Sequence, residues 1–295
     1  MMNIIRADIY RIVRGKGVYV TLLVLLAVAT LQIVAGIPIN IGGNADAVDI
    51  LRDEFENMDE IMKGEYKIEN PNMGEINLDD LNMSDLFHSP TGYEAPRQIL
   101  AGVSNLLFLL LPLVVMIGAV DFNTGAVRNA LSSGISRARY FCSKLLLSFA
   151  ACAALLVVNI LFSVLLATVI NGFDGPFDGE YLWNILKVFL PQLLLFLAGA
   201  SVMNFFVFVF KKSAAVIGIS IGFFMVLSSI IMVLAIISKD FKVLFNYEIT
   251  SVIDSVVKID YMSTGNILRT LAVGVGYIVI TVAGGYAIFR RSEIK

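Results

Sequence analysis

The chain has 295 residues, of which 58% are hydrophobic and only 16% charged, with a net charge of −2 and a mean hydropathy of +0.82. A soluble domain carries nearer a quarter charged residues, so this composition excludes one and points to an all-α integral membrane protein. One His and two Cys leave little material for a metal centre or a disulfide framework.

The near-zero net charge hides a partition. Thirteen of the 22 Lys/Arg, but only three of the 24 Asp/Glu, fall in residues 1–16, 121–144, 211–212 and 290–295. Lys/Arg bias sets membrane orientation, so that side is expected to be cytoplasmic, with both termini inside.

In chain order, residues 1–16 form a short basic amphipathic helix suited to the inner headgroup layer. Met2, Ile5, Ile9, Ile12 and Val13 gather on one side and Arg6, Arg11 and Arg14 on the other,. Gly15 and Gly17 favour a bend before the membrane domain, residues 17–295,. Its first span, 18–37, is long enough to cross the hydrocarbon core and ends at Ile37-Pro38, unlike the shorter apolar region of a cleaved signal peptide. Residues 38–97 then change character, with 14 acids, four bases and the chain's only His. They read as a small helical extracellular insert, with one helix capped by Asn44 and another over 79–87,. No D-x-D-x-D-G loop is present, so the acids read as a solvated face.

Further spans are predicted over 99–120, 145–170, 184–210, 214–237 and 270–289,. Pro112 bends the second. On the fifth, Ala214, Gly218 and Gly222 make a row of small residues that permits close helix contact,. Between the fifth and sixth, residues 238–268 are amphipathic, with Leu244, Phe245, Ile249, Val252, Ile253 and Val256 as the apolar side. They predict short helices at or dipping into the outer leaflet. Six spans place both ends on one side, as the charge partition requires.

No span carries an Asp, Glu, Arg or His at its centre, so the groups that ion-coupled transporters and intramembrane proteases use are lacking. The polar residues at span depth are the amides Gln32, Asn105, Asn159, Gln192 and Asn204. Interhelical hydrogen bonding accounts for all five, and Asn105, Asn159, Gln192 and Asn204 are the candidates for lining a pathway. Gly15-Lys16 has no glycine five residues upstream, so no phosphate loop is encoded,. If the chain moves something uphill, another chain supplies the power.

The stretch that stands out is 121–144, a basic connector between the second and third spans. Its words Asp121-Phe122-Asn123-Thr124-Gly125 and Gly134-Ile135-Ser136-Arg137-Ala138-Arg139-Tyr140-Phe141-Cys142-Ser143-Lys144 resemble the pattern of ABC-2-type permeases. That pattern is an acid and a T-G step after span two, then a G-x-S-R-x-x-Y/F-x-x-S-K run opening span three. Many members have Glu where this chain has Asp121. The order of parts also matches over nearly the whole chain, although the insert at 38–97 is longer than in many relatives. The closest-looking group is the bacterial permeases for peptide antibiotics, bacteriocin immunity and cytolytic peptides.

The resemblance implies a plasma-membrane subunit that pairs with a second copy or a related permease. Two ABC ATPase subunits would hold the ATP and Mg, this chain having no cofactor, catalytic residue or nucleic-acid partner of its own. It implies an amphipathic peptide or lipid-like substrate, and it makes Asp121, Thr124, Gly125, Arg128, Gly134, Ser136, Arg137, Arg139 and Lys144 the coupling residues. Local signals agree, because 124–131 can form a short helix and Ser136 can cap the helix that becomes span three. Two alternatives stand beside this. The loop alone could be a positive-inside connector on anionic lipid, and the whole could be a non-transport sensor or assembly protein working through its acidic insert.

Overall fold

The structure, a computed structural model, describes residues 2–35, 89–101 and 103–292. The helices expected after Asn44 and over 79–87 lie outside the described residues, as does most of the 38–97 insert. In hydrocarbon every backbone N–H and C=O must be satisfied within its own segment, which leaves helices as the solution for long apolar runs. Among the described residues six helices are long and apolar enough to cross a membrane, and no strand occurs.

The N-terminal helix, Met2–Arg14, breaks at Gly15 and is followed by the first span, Lys16–Ala35. The break has a packing reason as well as a conformational one. A Cβ on Gly15 or Gly17 would sit 2.6 and 2.4 Å from the Met116 side chain, so the second span is seated on these two glycines.

A short helix, Ala95–Ala101, precedes the second span, which starts at Leu106 rather than at residue 99. Pro112 lies inside it, and within one turn the helix widens into a π-turn over Val115–Ala119 before a last α-turn, Val120–Asn123. The third span, Arg137–Asn171, begins eight residues before its apolar run because Ser136 accepts a hydrogen bond from the Arg139 N–H and starts the helix early. The fourth, fifth and sixth spans are Gly179–Phe210, Ser213–Ile237 and Thr264–Arg291.

The fourth span is the hub, packing against spans two, three, five and six. Its Leu195, Phe196, Ala198, Ala200, Met203 and Val207 are fully buried. The connector before span six goes further inward than its amphipathic pattern suggests. Ile249, Val252, Ile253 and Val256 are at most 2% exposed and join the central core. Glu248 starts this segment as a buried cap, accepting from the Thr250 and Ser251 N–H groups and the Thr250 hydroxyl.

The bundle has two ends. One gathers the N-terminal helix, the 124–136 loop, the 211–212 turn and the end of span six. The other gathers residues 89–94, the 172–178 turn and the connector before span six.

Candidate functional site: the basic end

At the basic end four charged side chains close a ring. Lys144 Nζ lies 2.6 Å from Asp8 Oδ2 and 2.5 Å from Asp121 Oδ2. Arg11 completes it from the other side, with Nη2 3.1 Å from Asp8 Oδ1 and Nη1 on Asp121 Oδ1. Two acids and two bases alternate, so the ring is neutral. Asp8, Asp121 and Lys144 are 6%, 3% and 1% exposed. The Tyr140 hydroxyl donates to Asp121 Oδ2 at 2.7 Å. Burial pushes the Asp8 carboxyl above its usual range, against the opposing pull of Lys144 and Arg11,.

The π-turn completes the arrangement. A widened turn leaves its carbonyls poorly aligned along the helix and open to an outside donor. Arg11 Nη2 reaches the Met116 and Ile117 carbonyls at 3.1 and 3.4 Å. One guanidinium therefore holds a backbone irregularity and two carboxylates together. In sequence the ring joins residues 8, 11, 121 and 144, which tie the N-terminal helix to the end of span two and the start of span three.

Beside the ring, the connector forms a short helix, Ala126–Ser132. It starts two residues later than expected because Gly125 takes φ +72°, a left-handed conformation that favours glycine, and Gly134 does the same at φ +88°,. The helix is fastened by Val127, which is 1% exposed within a cluster of Tyr140, Phe141, Phe208 and Phe289. The rings of Phe141 and Phe208 are 4.6 Å apart and those of Phe208 and Phe289 5.0 Å. Through this cluster the loop helix is packed onto spans three, four and six together.

The nine loop positions separate into distinct environments. Arg128 and Arg139 are exposed, as are Thr124, Gly134 and Ser136. Asp121 and Lys144 face inward and are consumed by the ring, so neither presents a surface to another chain. Arg137 also differs from expectation. Half-buried, its Nη1 donates to the Phe289, Arg290 and Ser292 carbonyls at 3.3, 2.5 and 3.0 Å, which caps the end of span six. A guanidinium does this well because the last carbonyls of a helix lack intrahelical donors.

The four pathway candidates do not converge. Gln192 donates to the Leu100 and Ile253 carbonyls at 2.8 and 3.3 Å, and Asn204 donates to the Ala200 carbonyl and accepts from Ser148. Asn159 is buried, with no hydrogen-bond partner for its Oδ1 among the described residues. Asn105 lies in the 3₁₀ turn before span two. None of the four lines the cavity beneath Tyr277 or the cleft beside Tyr181.

Asp8 and Arg11, members of the ring, and Tyr140, which donates to it, are the site residues that sequence reasoning missed. A signal was present, because Asp8 is one of only three acids in the basic segments. An acid kept among thirteen cations marks a partner for one of them.

Six spans with both described ends at the basic end of the bundle define a multi-pass helical membrane protein whose connector is packed onto its spans. Comparison with protein families gives the class. The model of the ABC-2 family transporter proteins matches residues 2–294. The chain belongs to that family and is a membrane permease of an ABC transporter, which decides against the sensor reading. A search of curated proteins finds no match.

Proposed function

We propose that this chain is one half of an ATP-driven exporter in the bacterial plasma membrane, with the basic end cytoplasmic. In this reading two ATPase subunits bind ATP and Mg and do the hydrolysis, and the chain itself performs no chemistry. A second copy or a related permease supplies the other half of the pathway. Amphipathic peptides or lipid-like molecules are the cargo, consistent with spans that lack an ion-coupling carboxylate at their centres.

The observation that carries the reading is the mounting of the loop helix. An exposed basic helix held by Val127 and the aromatic cluster transmits a push as a rigid body to several spans, whereas a flexible loop would absorb it. Support for a second copy comes from span five. Gly218 and Gly222 have open space where a Cβ would stand, so these two glycines meet no neighbour there among the described residues.

The structure also redirects the test. Arg128 and Arg139 are the exposed cations, while Arg137 holds span six. Charge reversal at Arg128 and Arg139 should lower substrate-stimulated ATP hydrolysis of the purified assembly at least about tenfold while the permease keeps its thermal transition. Wild-type hydrolysis and wild-type capture of the ATPase by the doubly reversed variant would show that this loop is not the interface.

A further inference from the structure

We propose that the cleft at the end opposite the charge ring, between residues 93–100 and the first turns of span four, binds one ring-sized apolar group of a cationic amphipathic molecule. Its volume is about 180 Å³, and an apolar cavity of about 150 Å³ suffices for benzene. Pro96, Leu100, Ile185 and Val188 form its apolar lining, and Glu94, Arg97 and Asn184 stand among its polar groups.

The cleft is built by two segments far apart in sequence and locked to one another. The Gly92 N–H donates to the Gly172 carbonyl at 2.8 Å, and Asn171 Nδ2 donates to the Pro90 carbonyl at 2.8 Å. The Tyr93 and Tyr181 rings stack at 4.6 Å, with Phe173 edge-on to both. A Cβ on Gly175 would sit 2.4 Å from the Tyr93 ring, so the turn lies close against the cleft wall. At the floor, Gln192 fixes the Leu100 carbonyl. Such a site is formed before the ligand arrives and loses little affinity to reorganisation.

Charge selects the ligand. The segments 89–101 and 171–188 hold four acids (Glu94, Asp174, Asp178 and Glu180) and two bases (Arg97 and Lys187). Arg97 is itself neutralised by Asp260 at 2.6 Å. An amine attached to the buried group therefore meets an anionic surround with aromatic faces nearby, which favours a cation and disfavours an anion. This inference stands apart from the coupling reading, because binding is measured on the permease alone, whereas coupling needs the ATPase.

The probes are phenethylamine and 3-phenylpropionate, which share the ring and differ in charge. Binding is followed by ligand-observed NMR on the full chain in maltoside micelles. For so small a group the amine should bind with a Kd of about millimolar order, and the carboxylate about fivefold or more weaker. Ile185→Phe, which fills the cleft, should reduce amine binding about tenfold. Glu94→Gln, at an exposed position, should narrow the preference for the amine, while Lys212→Gln, exposed in the turn at the opposite end of the bundle, should change binding less than twofold. Equal binding of the two probes overturns the proposal, as does amine binding that neither Ile185→Phe nor Glu94→Gln reduces.

Discussion

Lys144 is the residue on which the basic end turns. Buried ion pairs gain little over apolar packing, but removing one partner leaves an uncompensated charge at a cost of about 3–5 kcal/mol. Lys144→Met leaves two carboxylates facing Arg11 alone and should lower the thermal transition accordingly. Adding Asp8→Asn should recover a measurable part of that loss, because it restores neutrality; a double variant less stable than the single one would contradict the ring. This site was only half legible in the sequence. Asp121 and Lys144 stood out as members of a motif and were expected to face a partner chain. Their inward placement depends on Asp8 and Arg11, more than a hundred residues away, and no local pattern encodes which acid meets which base across that distance. For Arg137 the position was legible and the partner was not, because backbone carbonyls at the end of another helix leave no mark in composition.

Among the elements, the π-turn over Val115–Ala119 has the clearest role. It is one residue wider than an α-turn, and that extra residue sets the direction in which Asp121 points. Deleting Ile117 should return the stretch to α-helix and rotate Asp121 by about 100° about the axis. Stability should fall by an amount comparable to that of Lys144→Met. The two changes should be strongly non-additive in thermal melts, since both open the same ring. Full additivity would mean that the turn and the ring are independent. One helix start was readable from its chemical cap: Ser136 is an N-cap by residue type and is found as one, whereas Asp178 and Ser263 start spans four and six earlier than their apolar runs suggested. The π-turn was not, because Pro112 signals a disturbance without saying what form it takes. The connector before span six was readable as amphipathic. Its depth was not, since an apolar face suits lipid and protein core equally well.

At the scale of the whole molecule, hydrophobic run length and Lys/Arg placement suffice for six spans and a common side for the termini, because lipid permits so few solutions. On a background with Cys142→Ser and Cys152→Ala, single cysteines at Asp174 and Asp240 should react with an impermeant thiol reagent on intact cells, and one at Ser132 should not. Labelling at Ser132 from outside would invert the bundle. Cysteines at Gly218 or Gly222 should cross-link two copies if the open row on span five meets its counterpart; monomers alone under oxidising conditions would remove that face from the interface.

The charge ring also sets an order of events during synthesis. Asp8 and Arg11 leave the ribosome before their partner, since Lys144 follows 136 residues after Asp8. At about 5–20 residues per second that is a wait of roughly 7–27 s. Throughout it the first two spans can insert, but the N-terminal helix has no completed seat. A nascent chain stalled near residue 130 should therefore leave that helix open to protease, and one stalled near residue 200 should protect it. The helix Met2–Arg14 is thus captured only once the third span has begun, and a chain that fails to deliver Lys144 to the right depth leaves that basic helix exposed to the quality-control proteases of the cell.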